Sequence, residues 1–377
     1  MSRSLAGALV ALLVLAGCGI GPPHPTPSSL VIAVDVPENG PQAADGAAVV
    51  DAVNQVLKEE YGGRLEGMRL TIRAYDDSAA GQRDATQARL NLRRMTADRS
   101  VVGLVGPINS DLAAAELPIA NAAHLAMVSP AASNPCLTKA LGECLLPPRE
   151  LRSHGPNNFF RVVPPDDLEP AALVAFAAHA LHVTRIALGS DGQAYGTVLQ
   201  VALEAALKQA GLTIVASASF DPTSPPAVDG FLAEAHSGGA DAVFFAGRGE
   251  GGACRLRPRV VVTLGTAVPL LGGSGLQGAA CLHDAGEAAA GIYSIAAGPG
   301  SITEQARTAA RVLLKAIVAA VKAAGGNLPS REEVRLAVSH SLSPRFDAAG
   351  DTRDRVFTIL QARAQPGDWV EETQVSV

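Results

Sequence analysis

Several stretches of this 377-residue chain carry residue types that could do chemistry, and each has a plainer structural use to set beside it. "GRGEGG" (247–252) fits G-x-G-x-x-G, the loop that brings a pyrophosphate up to a helix N-terminus. Such a site also needs a following helix and an acid about twenty positions on. The sequence that follows, "ACRLRPRVVVTLG", reads as Pro258 and a strand with no acid at its end, so the stretch is read as an open rim. "GGSGLQG" (272–278) has Leu276 where a nucleophile elbow requires its last glycine. Asp76–Asp77 reads as a strand-end turn, and His283–Asp284 has no nucleophile beside it. His179 and His182 stand at i, i+3 on a helical stretch without a third ligand. Neither a catalytic set nor a metal set emerges, which argues against an enzyme and calls for no cofactor.

A different chemistry is offered where strands end in small polar residues. "SPAASNP" (129–135) follows the apolar run "LAMV" with no bulky side chain at all. "VVGLVGP" (101–107) ends just before Asn109 and Ser110, which precede a helical stretch. In an open parallel sheet both ends lie on one rim, where ligands bind near helix N-termini. Ser110 is expected to cap its helix, and the N–H groups behind it favour a carboxylate by about 0.3–2 kcal/mol.

The elements that must position that rim alternate along the chain. Expected strands are 30–36, 68–77, 101–107, 125–130, 159–163, 185–190, 213–220 and 241–247. The helices between them are 46–61, 82–97, 111–123, 170–181, 196–211 and 228–239, with a long amphipathic one at 303–326. "RFDAAGDTRDRVFTILQAR" (345–363) reads as a strand pair turning at Gly350. The alternation predicts an α/β chain of two doubly wound lobes with a cleft between them. The first lobe is expected over 29–158 plus about 300–344, and the second over 159–299 plus about 345–377.

The N-terminus, "MSRSLAGALVALLVLAGC", has Arg3, a short apolar run and small residues before Cys18. The run is too short to cross a bilayer and reads as a secretory signal over 1–17. "LAGC" resembles a bacterial lipobox, which implies lipidation of Cys18 and an anchor on the outer face of the cell membrane. Residues 18–28 would then form a Gly/Pro/Ser tether. With Cys18 set aside, Cys136, Cys144, Cys254 and Cys281 remain, an even number that suggests two disulfides in an exported chain. Sequence neighbours suggest Cys136–Cys144 and Cys254–Cys281, among three possible pairings. The 30 basic and 36 acidic residues give a net charge of −6 with no basic block, which excludes a nucleic-acid partner.

Taken together, "EEYGGRLEGMRLTIRAYDD", "VVGLVGPINS", "SPAASNP", "FFRVVPPDD", "SDGQAYG" and "RFDAAGD" resemble, in order and spacing, the type I periplasmic binding proteins for branched-chain amino acids. The resemblance runs from about residue 30 to 370 and implies a monomeric hinged trap with three crossovers. It implies capture of an amino acid or related small carboxylate for an ABC permease; the alternative is a sensor signalling to a membrane receptor or kinase. Carried over by position, Ser110 would meet the ligand carboxylate. Ala131, Ala132 and Ser133 would hold the head group, and Tyr195 would cover it. Two departures stand out: Arg248 replaces an aromatic residue, and Ser274 falls near the family's ammonium-binding glutamate. A buried ammonium needs a carboxylate, so Glu250 is expected to substitute or the ligand to lack an amine. Arg248 would suit a second ligand carboxylate.

Overall fold

A computed structural model of the chain describes residues 29–65, 67–142, 144–364 and 367–377. Cys18, the signal segment and the tether lie outside them. The strands begin with β1 (Ser29–Val36), β2 (Arg64–Leu65) and β3 (Met68–Asp76), then a small hairpin, β4 (Ser78–Ala79) and β5 (Gln82–Arg83). They continue with β6 (Val101–Val105), β7 (Ala126–Ser129), β8 (Phe159–Arg161), β9 (Arg185–Ser190), β10 (Thr213–Ser219) and β11 (Ala242–Ala246). β12 (Leu270–Leu271), β13 (Ile292–Ala297), β14 (Val356–Arg363) and β15 (Asp368–Ser376) complete the set. The helices are α1 (Ala43–Tyr61), α2 (Ala85–Ala97), α3 (Ser110–Ala122), α4 (Pro148–Leu151), α5 (Glu169–His179) and α6 (Ala194–Gln209). They end with α7 (Pro225–Ser237), α8 (Leu256–Leu264), α9 (Ala279–Ala285), α10 (Ile302–Ala323) and α11 (Arg331–Ser339).

Two sheets divide these strands. The first runs β2-β3-β1-β6-β7-β8, parallel except for β2; the second runs β10-β9-β11-β12-β13-β14-β15, parallel except that β14 is antiparallel to both of its neighbours. The cause is visible in β1, whose residues are apolar and buried on both faces, as a central parallel strand requires. Leu30, Ile32 and Val34 pack towards α1, α10 and α11, while Val31 and Ala33 pack towards α2 and α3. In the second sheet Ile186 and Leu188 face α5 and α6, and Ala187 faces α7, α8 and α9. The doubly wound α/β fold with two lobes is therefore as expected.

The chain crosses between the sheets three times: after β8, between β13 and α10, and between α11 and β14. α10 starts with a capping box, Ser301 with Glu304, and returns an amphipathic helix to the first sheet. Both suggested disulfides are formed, Cys136–Cys144 and Cys254–Cys281.

Three local readings are corrected. Phe159–Arg161 is the edge strand of the first sheet, paired with β7, and does not open the second lobe. "LRPRVVVTL" is a helix, not a strand: Pro258 sits in its first turn, where no helical hydrogen bond is lost. Its Arg257 is buried and donates to the carbonyls of Thr266, Val268, Ala288 and Ala290, a tertiary demand that overrides the valines' strand preference. Gly350 lies in a turn closed by a single bridge, Phe346 with Thr352, and β14 finds its hairpin partner in β15 instead.

Two sets of buried polar groups cost the fold something. Arg161 is fully buried; its guanidinium donates to Asp351 (2.8 Å), to the carbonyls of Ala132 (3.2 Å) and Asn134 (2.8 Å), and to the Thr138 hydroxyl. Thr138 in turn donates to Asp351 at 3.1 Å. Elsewhere Asp35, Asp77 and Glu116 are all without exposure. Asn91 donates to Asp35 at 2.9 Å, while neither Glu116 carboxyl oxygen has a hydrogen-bond partner among the described residues. Burial, then the neighbouring acids, pushes the Glu116 carboxyl well up, and the same causes push Asp77 up to about 7.

Two outcomes follow. Removing the Asp351 carboxylate (Asp351→Ala) strands a buried guanidinium and should cost about 3–5 kcal/mol in urea unfolding; a loss below about 1 kcal/mol would show the pair to be incidental. The raised carboxyls stabilise the fold below their unfolded value, near 4, and that stability drains away as pH rises through about 7. The melting midpoint should therefore be several degrees higher at pH 5 than at pH 8, and Glu116→Gln should flatten the difference. A flat wild-type profile would contradict this.

Candidate functional site

The site is built where the strand ends of the two lobes approach. On the first lobe, the residue at the N-cap of α3 is Asn109, not Ser110. The Ser110 hydroxyl instead accepts from the Asn134 N–H at 3.1 Å and so props one end of the "SPAASNP" loop. Ser129 holds the other end: its hydroxyl donates to the Pro107 carbonyl (2.7 Å) and accepts from the N–H groups of Ala131 (3.3 Å) and Ala132 (2.9 Å). The small residues are thus needed for a loop folded tightly back on its own serine. Ala132 is buried with its N–H on Ser129 and its carbonyl on Arg161, so neither is free to meet a ligand. The Ala131 carbonyl and the Ser133 N–H have no partner among the described residues.

The first crossover carries two acids to this loop. The Asp166 N–H donates to the Ser133 carbonyl at 3.0 Å, which brings the Ser133 hydroxyl close enough to the Asp166 carboxyl to favour its ionised form. Three residues on, Glu169 opens α5 and is buried. Its carboxylate accepts from the Ser274 N–H at 2.6 Å and from the Ser274 hydroxyl at 3.1 Å. Burial first, and then the charge of Asp166, pushes Glu169 up to about 8 against the pull of those two bonds. Asp166 is also pushed up, mainly by burial. Both acids stand where a positive charge would lower them; among the described residues no cation is bonded to either, and Arg161 acts on Asp166 only at a distance.

Glycine explains the close approach on the second lobe. A Cβ at Gly273 would sit 2.5 Å from the Glu169 Oε1 and 2.6 Å from the Tyr195 hydroxyl. One at Gly275 would lie 2.7 Å from the Tyr195 ring, whose hydroxyl accepts from the Gly275 N–H at 3.1 Å. "GGSGLQG" is therefore a cradle for Glu169 and Tyr195. Burial, and then Glu169, raise the Tyr195 hydroxyl to about 12, so it stays protonated. Arg248 is exposed, with its guanidinium 4.5 Å from the centre of the Tyr195 ring. Glu250 is exposed on the turn Gly249–Gly251 and has no partner among the described residues.

The fold thus joins Ser133 to Asp166, and Tyr195 and Arg248 to the Glu169–Ser274 pair, while Glu250 stays outside. The carboxylate beside Ser274 is Glu169, which sequence reasoning missed. Its only signal was an acid just before Pro170 at the start of an apolar helix, where acids are commonplace.

Comparison with known proteins bears on the family and the fold. A family model described as periplasmic binding protein matches residues 29–352. The chain belongs to the periplasmic binding protein family. It is 24% identical over 254 residues to a Leu/Ile/Val-binding protein homolog 3 of Brucella melitensis, an alignment spanning 66% of this chain and 62% of that protein. A leucine-binding protein of Thermotoga maritima superposes with a TM-score of 0.62 at 20% identity, covering 92% of this chain and 99% of its own. A branched-chain amino acid substrate-binding protein of Streptococcus pneumoniae, in complex with isoleucine, gives 0.61 at 17% identity, covering 93% and 99%. A solute-binding protein of Rhodopseudomonas palustris in complex with benzoate gives 0.60 at 19%, covering 93% and 97%. The resemblance read from the spaced motifs is borne out in family and fold.

In this periplasmic binding protein, Glu169 costs stability when ionised. Its folded value lies above the ordinary one of 4.5, so the cost grows as pH rises from there to about 8. Glu169→Gln keeps an acceptor for Ser274, and without ligand it should melt with wild type at pH 5 and a few degrees above it at pH 9. Identical melts at both pH values would mean that Glu169 is not held neutral.

Proposed function

We propose that the chain is an extracytoplasmic solute-binding protein that captures an amino acid between its lobes and delivers it to an ABC importer. In this reading the ligand ammonium lies against Glu169 and Asp166. Its carboxylate meets the first-lobe rim at Ser110, the Ala131 backbone and Ser133. Tyr195, with Arg248 stacked on it, covers the ligand from the second lobe. The single observation that carries the reading is the pair of cleft acids whose carboxyls are raised and have no bonded cation among the described residues. The names of the relatives, with leucine, isoleucine and valine among their ligands, point the same way.

No covalent step is required. Ligand favours the closed form because only there does it touch both lobes, and the three crossovers are the hinge. Lipidation at Cys18 would hold the trap beside its permease, with residues 18–28 as the tether. A second reading has its own support: with its carboxyl raised to about 8, Glu169 can donate a proton to an amine-free carboxylate, and one solved relative is in complex with benzoate.

The test is the melting midpoint of residues 19–377 with leucine, isoleucine, valine, acidic amino acids, benzoate and dicarboxylates. A ligand at about a hundred times its Kd adds about 2.7 kcal/mol, a shift of a few degrees. For an amino acid, affinity should rise from pH 6 to pH 8 as Glu169 ionises, and Glu169→Gln should weaken binding by at least tenfold. A shift confined to benzoate or dicarboxylates would replace the ammonium reading with the second one. No shift with any member would set both aside.

A further inference from the structure

A second polar cavity, of about 530 Å3, lies on the flank of the crossovers and shares no residue with the cleft site. Its charged lining is Lys139 from the Cys136–Cys144 loop and Arg345, Asp347, Asp351, Arg353 and Arg355 from the third crossover. The turn described above brings the arginines together: Phe346 pairs with Thr352, and the Arg353 N–H donates to the Arg345 carbonyl at 2.8 Å. Like charges set opposite each other across a strand pair repel.

Among the described residues no carboxylate is bonded to these arginines. Asp351 is engaged by the buried Arg161, and the Asp347 carboxylate accepts from the N–H groups of Ala349 (2.9 Å) and Asp351 (3.0 Å). Lys139 is paired with Asp167 at 2.5 Å. Asp354, between two of the arginines in sequence, lines a different cavity. Arg345, Arg353 and Arg355 are exposed, and their side chains have no ion pair or hydrogen bond among the described residues. Other surface arginines of the chain are paired, among them Arg307–Glu59, Arg311–Glu60 and Arg73–Asp98, whereas these three share one cavity unpaired. Three uncommitted guanidiniums around one cavity, in a chain of net charge −6, are an arrangement that lacks its anion.

We propose that this cavity binds a phosphate group. Guanidinium forks match phosphate oxygens two at a time, and the volume suits a small multivalent anion with its waters or a phospholipid headgroup. The chemistry is the same for free phosphate and for a headgroup, and the source is for the experiment to assign.

Residues 29–377 hold every strand and helix described and are the material for the test. Wild type, Arg345→Gln and the double variant Arg353→Gln/Arg355→Gln are melted in sodium phosphate and in sodium chloride at equal ionic strength. The same proteins are sedimented with phosphatidylcholine vesicles, with and without phosphatidylglycerol. A cooperative melt in chloride shows that each variant is folded. Phosphate should raise the wild-type midpoint by a few degrees, Arg345→Gln should reduce the shift, and the double variant should abolish it; this assigns free phosphate. Binding of wild type alone to phosphatidylglycerol vesicles, without a phosphate shift, assigns the headgroup. Equal phosphate shifts in all three proteins, or neither a shift nor arginine-dependent vesicle binding, would overturn the proposal. Leucine and benzoate play no part in these readouts, so failure here leaves the cleft reading untouched.

Discussion

The arrangement of the candidate site depends on one buried guanidinium. Arg161 stands at the end of the last strand of the first sheet, where the chain leaves for the second lobe. It is held by Asp351 from the third crossover and holds the carbonyls of Ala132 and Asn134 in the ligand-rim loop. A buried ion pair is weak evidence of stability, because desolvation offsets much of its attraction. Its value here is geometric: one side chain ties the loop, the first crossover and the third crossover to a common point. The loop can then be made of small residues, because its shape is imposed from behind.

From that anchor the chemistry of the cleft follows in order. The first crossover leaves Arg161 and delivers Asp166 to Ser133 and Glu169 to Ser274 within eight residues. Ser274 can receive Glu169 because glycines at 273 and 275 leave room for both the carboxylate and Tyr195. The carboxylate beside Ser274 thus comes from the crossover and not from the second lobe's own loop. Glu169 therefore belongs to a segment that joins the two lobes. Its position depends on the crossover as well as on the lobe that carries Ser274.

The molecule also contains two places where like charges are brought together, and they differ in kind. Asp35, Asp77 and Glu116 are sealed from solvent, so they respond by holding protons. Arg345, Arg353 and Arg355 cannot lose theirs and stay at the surface, where an outside anion can reach them. The first arrangement tunes stability with pH, while the second offers a surface for recognition.

Much of this was legible without coordinates. Alternating apolar strands and amphipathic helices determine a doubly wound fold, since each pattern buries its faces in only a few ways. The ordered motifs determine the family, and the even cysteine count led to the two disulfides. The misreadings share a cause. A proline and three valines suggested a strand at 256–264, but the buried Arg257 needs carbonyls that only a helix places within reach. Glu169 looked like an ordinary helix-start acid because its partner, Ser274, lies 105 residues away. Glu250, close in sequence to the expected place, faces solvent. Local pattern records which faces are buried. Which carboxylate meets which serine across a cleft depends on long-range packing, and only the tertiary structure decided it.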